Sequence, residues 1–134
     1  MAIPTAADIS PAIAAEILLK RRRIRRSLVE WCRHCGYEPA QHHRLLLDRL
    51  ERVARGEIRR LAVFMPPGSA KSTYGSILFP PHVMASAPGK SILAASHTTE
   101  LAEKWGRRVR NLIARHGASL GLRLADDNHA AGRC

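Results

Sequence analysis

Lys71, Ser72 and Thr73 stand directly behind Pro66-Pro67-Gly68-Ser69-Ala70. An amine and two hydroxyls at the mouth of a small-residue loop suit one chemistry above others, the holding of a phosphate chain. Small residues let backbone N–H groups close around phosphate oxygens, and a helix opening at the lysine adds the positive end of its dipole. The lysine then reaches the outer phosphates, and the first hydroxyl is placed to hold Mg²⁺. Against the pattern G-x-x-x-x-G-K-[ST], Met65 takes the first glycine position and Ala70 the second, with Gly68 inside the loop instead. The plain alternative is a Pro-Gly turn between a strand and a helix. The flanking elements decide between them.

Before the loop, the apolar run 61–65 is short, continuous and bounded by Arg59-Arg60 on one side and two prolines on the other. Such a run suits a strand buried on both faces. After it, Tyr74, Ile77, Leu78 and Phe79 predict a helix over 71–79 with those side chains inward, ended or restarted at Pro80-Pro81. Pro88-Gly89 reads as a turn, and 91–96 as a second buried strand. Strand, loop, helix, turn and strand make one βαβ unit, with parallel strands and a right-handed connection. The expected fold class is therefore α/β, a partial P-loop NTPase with a parallel βαβ core, preceded by N-terminal helices.

Residues 1–9 read as a loose tail. Ser10-Pro11 is a helix start, a hydroxyl cap followed by proline at the first helical position. Ile13, Ile17, Ile24, Leu28 and Trp31 then recur at helical spacing, predicting one amphipathic helix over 11–34. Gly36-Tyr37-Glu38-Pro39 breaks it. A second helix over 41–55 places Leu45, Leu46, Leu50 and Val53 on one face, with Gly56 where a left-handed cap is wanted. Thr98 caps a further helix with an apolar stripe of Leu101, Trp105, Val109, Leu112 and Ile113, ending at Gly117. Beyond it, 120–124 reads as a loop or edge segment. Asp126-Asp127 superficially resemble the acids of a Walker B strand, but Gly121 and Arg123 interrupt the apolar run such a strand needs.

A chain of 134 residues is long enough for one domain with a real core. With 46% hydrophobic and 25% charged residues the composition is that of a globular protein, which excludes a disordered chain. No apolar run approaches the roughly 20 residues that span a bilayer, and no secretory signal opens the sequence, so the expected location is the cytoplasm, away from membranes. The formal net charge of +11 favours polyanionic partners, nucleic acid above all. Its densest stretch is 20–26, six cations in seven residues, which reads as a DNA-facing arm or as a solvated helix face. Three cysteines argue against a disulfide framework. Cys32 and Cys35 form a C-x-x-C that His42 and His43 complete only on paper, because the spacing fits no common zinc module.

Three blocks give the chain a resemblance to the large terminase subunit of tailed bacteriophages and prophages. They are Tyr37-Glu38-Pro39-Ala40-Gln41-His42-His43-Arg44-Leu45-Leu46, then 55–61 running into Pro66-Pro67-Gly68-Ser69-Ala70-Lys71-Ser72, then Ala95-Ser96-His97-Thr98-Thr99-Glu100-Leu101-Ala102. Terminases are known for deviant phosphate loops, so Met65 and Ala70 fit this resemblance. It implies an ATPase motor that packages double-stranded DNA into procapsids, with a small terminase subunit and a portal protein as partners and a homo-oligomer only in the assembled motor. ATP and Mg²⁺ would be the cofactors. Lys71 would be the catalytic lysine on the β- and γ-phosphates, and Ser72 would hold Mg²⁺. Pro67, Gly68, Ser69 and Ala70 would cradle the phosphates, with Thr73 completing the loop's set. Gln41 would contact adenine, or His43 in its place. The resemblance divides the chain into a basic helical arm, 1–36, and the N-terminal part of a terminase-type ATPase domain, 37–134. Gly68 and Ser69 stand where many relatives carry a loop arginine, so an arginine finger would come from 107–110 or a neighbouring subunit. The Walker B acids, catalytic glutamate and nuclease of the family have no counterpart here, which implies an N-terminal fragment inactive alone. A small nucleic-acid-binding protein using 20–26, or a P-loop NTPase of another family, is the alternative.

Overall fold

The computed structural model describes residues 10–125. Five α-helices carry it: α1 (Pro11–Arg26), α2 (Leu28–His34), α3 (Gln41–Ala54), α4 (Phe79–Ser86) and α5 (Thr99–His116). A π-helical turn, Thr73–Leu78, runs straight into α4, and a 3₁₀ turn, Gly117–Ser119, follows α5.

There is no β-sheet among the described residues, which overturns the α/β class and its parallel βαβ core. A strand exists by virtue of its ladder partners. Neither 61–65 nor 91–96 makes a backbone hydrogen bond to another described segment. The first run packs on one side only: Leu61, Val63 and Met65 lie against the core, while Phe64 is 92% exposed. The second stands off the core altogether, with Leu93 at 94% exposure. Apolar composition and brevity suited a doubly buried strand, but both readings required a second layer of structure that these helices do not supply.

The expected single helix over 11–34 is two. Ser27 adopts an extended conformation and its Oγ accepts from the Glu30 N–H, opening α2. The Leu28 N–H, freed by the break, donates to a carboxylate oxygen of Glu51 on α3. A buried donor left over at a helix start thus becomes the tie between two helices. Three other predicted boundaries hold. Ser10 Oγ caps α1 through the Ile13 N–H, and Thr98 Oγ1 caps α5 through the Leu101 N–H. Gly56 sits at φ +80°, where the Glu57 N–H reaches back to the Arg52 carbonyl.

The core joins Ile24, Leu28, Trp31 and Cys32 to Leu46, Leu47 and Leu50 of α3, to Tyr74 and Leu78 of the π turn, and to Leu120. On α3 Leu47 joins Leu46 and Leu50 on the inward face, whereas Leu45 faces solvent. Tyr74, Ile77 and Leu78 point inward as their spacing requires. Pro80 and Pro81 do not end this helix. They lack N–H donors and their rings would strike the carbonyls of Ser76 and Ile77 in a regular α-helix. The chain widens instead, so that the Phe79 N–H bonds the Tyr74 carbonyl five residues back. The Leu78 carbonyl, fully buried, accepts 2.8 Å from Trp31 Nε1.

Trp31→Phe keeps an aromatic ring but removes the bond to that carbonyl, and should lower unfolding stability by about 2 kcal/mol in urea denaturation. Stability within a few tenths of the parent would contradict this account of the π turn.

Candidate functional site

The loop is held at both ends by backbone bonds. Ser69 N–H donates to the Pro66 carbonyl at 3.2 Å, closing a turn, and Tyr74 N–H donates to the Ala70 carbonyl at 3.2 Å, starting the helical ladder. Helical conformation begins at Lys71 and continues without a break to Ser86. The first N–H groups of such a run have no intrahelical acceptor and project from its positive end. Lys71 sits there exposed, with Ser72 and Thr73 half-buried behind it.

Two residues of the loop lie in the left-handed region, Gly68 at φ +80° and Ala70 at φ +57°. Gly68 has open space around it, so the conformation and not crowding calls for glycine. Ala70 is the single non-glycine residue of positive φ among the described residues. A side chain in that region costs roughly 1–2 kcal/mol, and such strain concentrates where a ligand is received. The position is also the one where the usual phosphate-loop pattern has its second glycine.

His43 reaches the loop from α3. Its Nδ1 accepts from the Ala40 N–H at 3.1 Å, and its Nε2 lies 2.8 Å from the Ser69 carbonyl. Its ring stacks on Tyr74, centroids 4.3 Å apart and planes at 29°. Alanine at position 40 has no side-chain acceptor or donor for a cap, and a histidine three residues on reaches back instead. That spacing was the signal in the sequence for a tied-down helix start. The position of α3 is set further by Glu38, which takes bonds from Arg33 and Arg44. The hydrogen bond from Arg33 holds the Glu38 carboxyl below its usual range.

Of the residues predicted for the site, the structure gathers Pro67, Gly68, Ser69, Ala70, Lys71, Ser72 and Thr73 into one loop and helix start. Gln41 lies exposed on the first turn of α3, and His43 is the residue there that touches the loop. A hollow of about 400 Å³ opens beside it between His42, Leu45, Arg49 and residues 61–65. Buried Ser69 Oγ has no hydrogen-bond partner among the described residues. For Mg²⁺ the loop offers the Ser72 hydroxyl, and no group of three metal-ligating side chains exists among the described residues. One hydroxyl does not make a resident site for an ion that demands six oxygens.

Comparison with protein-family models, curated proteins and solved structures gave no match. The site therefore stands on its geometry.

Other sequence candidates are not brought to it. Cys32 is buried and Cys35 half-buried, both free, and burial pushes each thiol up to about 12. Such thiols stay protonated and unreactive near neutrality. Asp126 and Asp127 lie outside the described residues.

Ala70→Gly tests the loop directly. It relieves the left-handed strain and should raise stability by about 0.5–1 kcal/mol after the entropy glycine adds to the unfolded chain. A loss of about 1 kcal/mol, as in an ordinary helix, would mean that Ala70 is not left-handed.

Proposed function

We propose that the 66–73 loop binds the phosphate chain of ATP, and that the chain is the nucleotide-binding part of a DNA-packaging motor of the large-terminase type. One observation carries the reading: two left-handed residues, Gly68 and Ala70, lie immediately before a helix that opens at exposed Lys71. Lys71 meets the outer phosphates as a point charge, and the N–H groups that open the helix meet the oxygens between them. Mg²⁺ enters with the nucleotide, carrying its own waters and phosphate ligands, with Ser72 as the protein's contribution. Gln41 supplies the contact to adenine from the exposed start of α3. Without a sheet among the described residues, this assignment rests on the loop and on the resemblance of the three sequence blocks. Double-stranded DNA, a small terminase subunit and a portal protein are the partners that the same resemblance suggests.

Binding is the activity assigned to these residues, and turnover asks for more. Phosphoryl transfer needs a carboxylate behind the metal and a group that orients the attacking water. No loop residue is hydrogen-bonded to a carboxylate among the described residues.

Calorimetry with ATP and Mg²⁺ tests the reading. Lys71→Ala should lower the affinity about ten- to a hundredfold, the cost of losing a charge-assisted contact to a multiply charged group. Unchanged affinity would contradict the assignment.

A second reading, nucleic-acid binding by α1, is favoured by the state of its cations. Lys20, Arg21, Arg22, Arg23, Arg25 and Arg26 are all exposed, and none forms an ion pair with an acid among the described residues. Only Ile24 of that stretch is buried. Affinity for duplex DNA should fall steeply with salt, and replacing Arg21, Arg22 and Arg26 by glutamine should reduce the log–log slope by about 2–3. The same affinity should survive Lys71→Ala. DNA binding that ignores the three substitutions would remove α1 from the interface.

A further inference from the structure

We infer that His43 is a positioning residue for the phosphate loop, a tautomer-locked clamp that turns the Ser69–Ala70 peptide so that its N–H faces the ligand. The inference rests on the reading of 66–73 as a phosphate site.

The proton arrangement follows from the partners. Ala40 N–H can only donate, so His43 Nδ1, 3.1 Å away, must be the unprotonated nitrogen. The neutral ring then carries its hydrogen on Nε2. The Ser69 carbonyl can only accept, and it lies 2.8 Å from that nitrogen. Both contacts are satisfied by one tautomer and by no other neutral form. The stacked Tyr74 ring, itself 3% exposed, fixes the plane in which the imidazole lies.

The clamp reaches the ligand side through peptide geometry. In a trans peptide the C=O and the following N–H point in opposite directions. The structure has no cis peptide bond among the described residues. With the Ser69 oxygen drawn toward α3, the Ala70 N–H is aimed away from α3. It makes no hydrogen bond among the described residues. Ala70 is thereby committed to its φ of +57°, next to the orphan N–H groups that open the helix. A peptide flip between Ser69 and Ala70 would relieve the strain and turn a carbonyl oxygen toward the phosphates. His43 holds the peptide against that flip.

The test uses the full chain with ATP and Mg²⁺ in calorimetry, alongside the ¹⁵N imidazole spectrum of the nucleotide-free protein. His43→Ala should weaken ATP binding about tenfold, the cost of one lost hydrogen bond of this kind. His43→Gln, whose amide N–H can still reach the Ser69 carbonyl, should recover most of that loss. The imidazole spectrum should show His43 with its proton on Nε2. Equal affinity in His43→Ala, no recovery in His43→Gln, or a proton on Nδ1 would overturn the clamp while leaving nucleotide binding itself intact. Absence of ATP binding by the unsubstituted chain would instead overturn the phosphate-site reading beneath it.

Discussion

The hydrogen bond from Trp31 Nε1 to the Leu78 carbonyl is the constraint on which the arrangement depends. Both groups are fully buried, and they lie 47 residues apart in sequence. A proline pair forces the helix behind the loop to widen, and the Leu78 carbonyl at the end of the widened turn takes a donor from outside the helix. Trp31 supplies it from α2. The same side chain is the largest in the core, so the polar tie and the apolar burial reinforce one another. The helical run that opens at Lys71 is therefore anchored midway along its length, and its exposed start can be held in a fixed place.

At that start a second anchor acts, from α3. His43 touches the Ser69 carbonyl and stacks on Tyr74, and Tyr74 is buried in the core that Trp31 organises. The loop thus hangs between two helices that are themselves joined by the bond from the Leu28 N–H to Glu51. Strain at Ala70 is sustained because its surroundings fix it from both sides. Rigid elements around a short strained loop are what a preorganised anion site requires, since donors already in place need no reordering when the ligand arrives.

Local chemistry was legible in the sequence at several boundaries that a single residue decides. Ser10, Thr98 and Gly56 act where their side chains or lack of one dictate, and the small residues before Lys71 form the loop their types imply. Tyr74, Ile77 and Leu78 lie inward as their spacing requires. What failed depends on partners distant in sequence. The runs at 61–65 and 91–96 have the composition of strands, but composition does not provide a ladder, and the helices pack with each other instead. The break at Ser27 was hidden because apolar residues keep helical spacing across it. The burial of Leu120 and Leu47 follows from the directions of α1, α2 and α3, which no local pattern records. His43 was visible as a residue near the site, but its contact with Ser69 spans 26 positions.

The most direct test is an amide ¹H–¹⁵N titration of the full chain with ATP and Mg²⁺. If the loop is a phosphate cradle, the largest shifts fall on Gly68, Ser69, Ala70, Lys71 and Ser72, and the amides of α1 stay where they are. Shifts confined to residues 20–26, or a spectrum that ATP leaves unchanged, would contradict it.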